Sequence, residues 1–142
     1  MGSIRENYGD IARQMVENSR QPHQVDETAI YQESNLENRK LIDGILEELV
    51  MEGSALYHFE HLQQLYEYAE QGYSGLILME HYSNFDVPCL YYFLERQGES
   101  GNRIAESIVS VAAMKLNEES RFVLAFTESY SRIVIYPQRS LD

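Results

Sequence analysis

The chain has few of the features that mark a secreted or a membrane-spanning protein. Cys89 is the only cysteine among 142 residues, so no internal disulfide can form, and we expect a reducing, cytoplasmic compartment. No apolar run approaches the ~20 residues that a membrane-spanning helix needs. The sequence therefore predicts a protein without a transmembrane segment, and its length suits one domain.

Basic residues are also scarce. The sequence has 11 Lys and Arg against 23 Asp and Glu, which gives a formal net charge of −12. Such a charge opposes nonspecific binding to nucleic acid or to anionic lipid surfaces, so we expect no nucleic-acid partner. An anionic substrate remains compatible with this charge, because a local basic site can override the net field. Hydrophobic residues make up 44% of the chain, which is enough to bury a core.

The first half of the chain carries one-sided apolar patterns that are typical of helices. Three stretches show an apolar stripe at helical spacing: residues 3–19, 26–52 and 54–71. Ser54 suits the N-cap of the third helix. We therefore predict a helical N-terminal region over residues 1–72. The sequence leaves open whether these helices form a homodimer and whether the protein contacts a membrane peripherally.

The second half alternates between short apolar runs and helical patterns. Buried strands are predicted at residues 75–80, within 104–114 and at 132–136, and helices at 86–97 and 117–130. The Gly-rich stretch after Gly98 predicts a loop. Helical crossovers between apolar strands imply a parallel sheet. The predicted fold class is α/β, with N-terminal helices followed by a β-α-β-α-β unit and a mainly parallel sheet over residues 73–142.

Polar side chains cluster where the first predicted strand ends and a helix begins. His81, Ser83, Asn84 and Asp86 fall within six residues, directly after the apolar run. In open α/β sheets, ligands bind at this edge. A carboxylate that accepts one imidazole N–H fixes the tautomer and leaves the other nitrogen free as a base. His81 and Asp86 are therefore a candidate catalytic dyad. The alternative is a surface loop with a helix cap and a solvated histidine.

The stretch from residue 75 to residue 96 resembles the first conserved block of the glycerolipid acyltransferases, the glycerol-3-phosphate and lysophosphatidate acyltransferase superfamily. Members carry an apolar strand ending in Asn-His, then a polar residue, often Ser, then Asp, then an apolar helix. The corresponding residues are His81, Ser83 and Asp86, whereas Glu80 stands where the family has Asn. The family's later Glu-Gly-Thr motif is absent, so we expect the chain to be an N-terminal part of a longer enzyme.

The resemblance implies an acyltransferase that moves a fatty acyl group from acyl-CoA or acyl carrier protein to an alcohol. The acceptor would be the hydroxyl of glycerol 3-phosphate or of a lysophospholipid. His81 would be the general base and Asp86 its orienting carboxylate, without a metal or a cofactor besides the acyl donor. Ser83 and Asn84 would shape the turn, and Arg139 is the candidate for binding the acceptor's phosphate.

Two other functions stay open at this point. One is a noncatalytic helical interaction module built on a degenerate acyltransferase fold, which Glu80 and the missing motifs favour. The other is a thioesterase or a similar hydrolase that uses Cys89 with His81, although no Gly-x-Ser-x-Gly motif accompanies them. His58 and His61 lie three residues apart, and we interpret them as surface residues because no third zinc ligand is near in sequence.

Overall fold

The computed structural model describes residues 4–20, 29–113 and 120–135. In chain order the elements are α1 (Ile4–Asn18), β1 (Tyr31–Gln32), α2 (Leu36–Leu49), α3 (Phe59–Glu70), α4 (Asp86–Glu95), α5 (Glu99–Ser107), β2 (Ser110–Ala113), α6 (Arg121–Thr127) and β3 (Arg132–Ile135). The described part of the chain thus contains six helices and three strands. This confirms the prediction of a mixed α/β protein.

The three strands form one sheet of mixed direction, in the order β1-β3-β2. β2 and β3 are parallel, with Val111 opposite Ile133, and α6 lies between them in sequence. β1 pairs antiparallel to β3, with Tyr31 opposite Ile133. The helix predicted over residues 26–52 is wrong in its first part, because residues 29–35 lie outside helices and include β1, and α2 begins only at Leu36. The larger β-α-β-α-β unit with a mainly parallel sheet is not confirmed.

The prediction of a strand over residues 75–80 is wrong. The whole stretch lies outside helices and strands. Leu76 and Leu78 are 76% and 87% exposed, so the apolar run that was expected to be buried faces solvent. At its beginning the stretch passes close to α3, because a Cβ added to Gly75 would lie 3.0 Å from a side-chain carbon of Leu65. A strand needs a neighbouring backbone to pair with, and apolar composition alone does not supply that partner.

The boundaries of α3 and α6 differ from the predicted ones. α3 begins at Phe59 rather than after Ser54, because His58 adopts a left-handed conformation with φ 58° and ψ 39° that ends the helix on this side. α6 begins after Ser120, whose hydroxyl accepts the N–H of Val123 at 3.2 Å. This is the usual N-cap interaction. The region expected to start this helix, residues 117–119, lies outside the described residues.

α5 is a helix where the sequence predicted a loop and then the start of a strand over residues 104–114, of which only Ser110–Ala113 form β2. It begins directly after Gly98 and packs closely on the end of α4 at Gly101. A Cβ at Gly101 would lie 1.9 Å from the carbonyl oxygen of Leu94, so only glycine allows this approach. Tyr91 of α4 is buried, and its hydroxyl donates to the carbonyl of Ile108 just after α5, at 2.9 Å. These contacts hold α4 in place, and α4 begins at Asp86.

The chain forms two compact units. The first combines Met1–Ile45 with Val109–Asp142 and contains the sheet, and the second is Leu46–Ile108. The polar residues at positions 81–86 belong to the second unit. This grouping does not test the predicted division at residue 72, which stays a prediction.

A buried polar network joins three helices of the first unit. The side-chain amide of Asn38 in α2 donates to the carbonyls of Met15 in α1, at 3.0 Å, and of Ala125 in α6, at 3.2 Å. The buried carboxylate of Glu128 accepts the hydroxyl of Ser19 at 2.5 Å. Because buried polar groups need partners, this network specifies how the three helices pack.

Candidate functional site

Residues 81–86 form a tight turn that leads into α4, and we call this turn the elbow. The N–H of Asp86 donates to the carbonyl of Ser83 at 3.1 Å, and the N–H of Phe85 donates to the Ser83 hydroxyl, also at 3.1 Å. The N–H of Cys89 then donates to the Phe85 carbonyl at 2.8 Å. Pro88 lies in the first turn of the helix, where its missing N–H costs no hydrogen bond. The helix was therefore predicted correctly, and the strand before it was not.

The carboxylate of Asp86 is the centre of the elbow. Its Oδ2 accepts the backbone N–H of Tyr82 at 2.7 Å and that of Ser83 at 2.8 Å, and Nδ1 of His81 lies 3.1 Å away. These donors favour the charged form and lower the pKa of Asp86, and the Ser83 N–H contributes most. Asp86 is therefore ionised at neutral pH and acts only as a hydrogen-bond acceptor.

The ionised carboxylate of Asp86 selects the tautomer of the neutral His81 ring. Because Asp86 has no proton to donate, Nδ1 of His81 must be the donor, and Nε2 of the neutral ring is then unprotonated. The His81 side chain is 73% exposed, whereas that of Asp86 is only 19% exposed. The arrangement holds a basic nitrogen at the surface, oriented by a carboxylate behind it. The structure thus brings the two predicted residues together, and their catalytic role stays a prediction.

Glu80 and Tyr82 flank His81 and contact each other. The Tyr82 hydroxyl donates to the Glu80 carboxylate, and this hydrogen bond raises the pKa of Tyr82, with a smaller effect from the charge of Asp86. The Glu80 carboxylate therefore has a hydrogen-bond partner two residues away, in the side chain of Tyr82. Tyr82 was not among the site residues predicted from the sequence. The available signal was that residues two apart lie on the same side of an extended chain.

The other predicted site residues have different positions. Ser83 shapes the elbow through its N–H to Asp86 and its hydroxyl to Phe85. Asn84 lies exposed at the turn. Arg139, the candidate for phosphate binding, lies outside the described residues.

Cys89 is half-buried in the first turn of α4, three residues after Asp86. Burial raises the pKa of its thiol, and the negative charge of Asp86 adds to this effect. The thiolate, not the thiol, is the nucleophile, so this environment disfavours covalent catalysis by Cys89. The raised pKa counts against the hydrolase alternative, which stays a prediction.

His58 and His61 form a stacked pair on the surface, with ring centroids 5.4 Å apart. Nδ1 of His58 lies 3.2 Å from the Glu60 carboxylate. Across residues 4–20, 29–113 and 120–135, no group of three or more His, Cys, Asp or Glu could hold a metal ion. In the same ranges, no helix combines the length and the apolar character needed to cross a bilayer.

A polar cleft of about 370 Å³ lies between α3 and α5 in the second unit. Tyr66, Glu70 and Arg103 form part of its lining, and Arg103 pairs with Glu70 at 2.7 Å. None of the elbow residues lines this cleft, so it is separate from the His81–Asp86 pair.

We compared the chain with protein-family models, with curated proteins and with solved structures, and none of the three comparisons found a match. The resemblance to the acyltransferases therefore rests on the residues of the chain themselves.

Proposed function

We propose that the protein transfers a fatty acyl group from an acyl thioester to an alcohol, with His81 as the general base. The observation that supports the proposal is the contact of His81 Nδ1 with Asp86 Oδ2 at 3.1 Å, on a carboxylate that two backbone N–H groups hold in place. An alcohol is too weak an acid to ionise at neutral pH, so a base must remove its proton as it attacks.

In the proposed reaction, the alcohol oxygen attacks the thioester carbonyl carbon while Nε2 of His81 takes the hydroxyl proton. The negative charge of Asp86 then stabilises the imidazolium that forms. As the tetrahedral intermediate collapses, the carbon–sulfur bond breaks and the leaving thiol receives the proton from His81. The products are an ester and a free thiol, and no covalent intermediate with the protein is formed.

The acceptor is proposed from the resemblance to the acyltransferase family. It would be glycerol 3-phosphate or a lysophospholipid, and the donor acyl-CoA or acyl carrier protein. Glu80 and Asp86 place two carboxylates beside His81, so a phosphorylated acceptor needs a separate cation for its phosphate. Arg139 is our candidate for that cation, because a guanidinium group matches phosphate geometry.

The test is release of free CoA from a long-chain acyl-CoA, measured with and without glycerol 3-phosphate or lysophosphatidate. We expect acceptor-dependent release by the wild type and a loss of about a hundredfold or more in His81→Ala, which removes the base. His61→Ala is the matched control, because His61 is an exposed histidine outside the elbow. Unchanged turnover in His81→Ala would remove the base role from His81.

Asp86→Asn tests the orienting role separately. An amide in place of the carboxylate offers an N–H as well as an oxygen, so it no longer fixes which nitrogen of His81 carries the proton. We expect a loss of turnover comparable to that in His81→Ala, with the fold monitored by circular dichroism. Full activity in Asp86→Asn would show that the carboxylate does not orient the base.

A noncatalytic interaction module is the second candidate. The observation that favours it is the set of exposed apolar side chains directly before the elbow, with Leu78 87% exposed. This candidate predicts association in sedimentation experiments and no thioester turnover with any acceptor. Turnover that depends on His81 would exclude it.

A further inference from the structure

His81 lies next to two carboxylates, and only one of them belongs to the dyad. Oδ2 of Asp86 is 3.1 Å from Nδ1 of His81 and orients the ring. Glu80 directly precedes His81 in the chain and accepts a hydrogen bond from the hydroxyl of Tyr82. Glu80 is exposed, and Tyr82 is 85% exposed. The Glu80 carboxylate is therefore held at the surface beside the candidate base, where an acceptor that approaches His81 encounters its charge.

Tyr82 connects the two carboxylates. Its backbone N–H donates to Oδ2 of Asp86 at 2.7 Å, and its hydroxyl donates to Glu80. The hydrogen bond to Glu80 raises the pKa of Tyr82, and the charge of Asp86 raises it further. The phenol therefore stays protonated at neutral pH and keeps its bond to Glu80. Because the charge of Asp86 acts across the elbow, an acceptor bound at His81 experiences both carboxylates together.

The compact unit that contains the elbow has no unpaired Lys or Arg to offset these charges. In Leu46–Ile108, which the structure describes throughout, there are eleven Asp or Glu residues, and Arg96 and Arg103 are the only Lys or Arg residues. Both arginines already form ion pairs, Arg96 with Glu47 at 3.0 Å and Arg103 with Glu70 at 2.7 Å. An anionic group that enters the elbow is therefore repelled by the charge of this unit.

We propose that Glu80 selects the acceptor by charge, and that the acceptor is a lysophospholipid with a zwitterionic head group. The inference names the acceptor of the acyl transfer proposed above and rests on that function. A phosphomonoester, as in glycerol 3-phosphate or lysophosphatidate, carries a charge of about −1.5 to −2 near pH 7. Its phosphate is attached one or two carbons from the accepting hydroxyl, so this charge must approach Glu80 when the hydroxyl reaches His81.

A zwitterionic head group changes this balance of charge. Phosphocholine and phosphoethanolamine are phosphodiesters with one negative charge, and each also carries an ammonium group with one positive charge. The ammonium group pairs with the Glu80 carboxylate, while the single phosphate charge needs only one cation, the role proposed for Arg139. Glu80 thus attracts one class of lysophospholipid and repels the other.

The test compares two soluble lipids, hexanoyl lysophosphatidylcholine and hexanoyl lysophosphatidate, which differ only in the choline. Binding is measured without an acyl donor, from the proton NMR shift of the His81 ring, whose signal is identified by its absence from His81→Ala. We expect the wild type to bind the choline lipid about tenfold more tightly at low salt, as fits a charge interaction at the protein surface. High salt should reduce this ratio, because the groups are exposed.

Glu80→Gln removes the charge and keeps an oxygen that accepts the Tyr82 hydroxyl. We expect the binding ratio to fall to about twofold, mainly through tighter binding of lysophosphatidate. Glu52→Gln is the matched control and should leave the ratio unchanged, because it removes the same charge from an exposed glutamate of the same unit outside the elbow. Tyr82→Phe leaves the charge of Glu80 but no longer holds its carboxylate, so it should lower the ratio less than Glu80→Gln does.

Thiol release with the same two acceptors separates this inference from the proposed function. No release with either lipid, together with the expected binding ratio and its loss in Glu80→Gln, would remove acyl transfer and leave the charge selection in place. Three results would overturn the inference. The first is no binding of either lipid. The second is equal or tighter binding of lysophosphatidate by the wild type. The third is a ratio that Glu80→Gln leaves unchanged or that Glu52→Gln lowers equally.

Discussion

Gly101 provides the sharpest test of how α4 is held. It is buried in α5 at the point where this helix meets the end of α4. In the variant Gly101→Ala, the new Cβ would lie 1.9 Å from the carbonyl oxygen of Leu94 and 2.8 Å from Cβ of Gln97. The first of these atoms belongs to the backbone and cannot rotate away. To reach van der Waals contact, α5 must move from α4 by roughly 1.5 Å.

The expected cost follows from two opposing effects. Overpacking a well-packed site costs about 1–3 kcal/mol, and a backbone atom as the obstacle places this case near the upper limit. Alanine is a better helix former than glycine by about 1 kcal/mol, which offsets part of the loss. We expect Gly101→Ala to lower the free energy of unfolding by about 2 kcal/mol. For a chain of this size the melting temperature should fall by about 6–8 °C.

Gly44→Ala is the matched control, because Gly44 also lies inside a helix, α2, but a Cβ there meets nothing within 4 Å. This variant should gain about 1 kcal/mol from helix propensity alone. Urea unfolding followed by circular dichroism gives both values. The two substitutions are chemically identical and should act with opposite sign. Equal stabilisation by both would refute the close approach of α4 and α5.

Three further predictions concern single side chains. Because the pKa of Asp86 is lower in the folded than in the unfolded state, the stability that it contributes is present above about pH 4 and is lost as the pH falls through the folded pKa. The difference in urea midpoint between the wild type and Asp86→Ala should therefore shrink between about pH 7 and about pH 3, and a constant difference would contradict an ionised Asp86. Asn38→Ala removes the donor to two backbone carbonyls and should cost about 2–3 kcal/mol in urea unfolding, so a cost near zero would show that the buried network does not form. Cys89 should react more slowly with an aromatic disulfide reagent in the folded than in the urea-unfolded protein, because burial raises its pKa; faster reaction in the folded state would favour the hydrolase alternative.

The sequence predicted well the features that depend on neighbouring residues. α4 was expected from residue 86 and begins there, because its helical apolar spacing and Pro88 near the start are local signals. β3 was expected from three consecutive β-branched residues, Ile133, Val134 and Ile135, and forms at that place. His81 and Asp86 are five residues apart, so a single turn is enough to bring them into contact.

The features that were missed depend on distant parts of the chain. Whether residues 75–80 form a strand depends on a partner strand, and composition does not reveal one. α5 contains glycine, serine and asparagine in its first turns, and its packing on α4 outweighs their low helix propensity. The burial of Asn38 and Glu128 was not predicted, because their partners lie 23 to 109 positions away in sequence.

The discontinuous first unit has a consequence for the order in which the protein folds during synthesis. Its central strand, β3, pairs with both β1 and β2 and occupies Arg132–Ile135. The second unit, Leu46–Ile108, is fully synthesised before β3 exists, so it can complete its own contacts first. Until residues 128–135 are synthesised, Ser19 of the first unit lacks its partner Glu128, and β1 has no strand to pair with. The amino-terminal part of the first unit therefore cannot complete its fold until β3 has been synthesised. Contacts across such long sequence separations also form slowly.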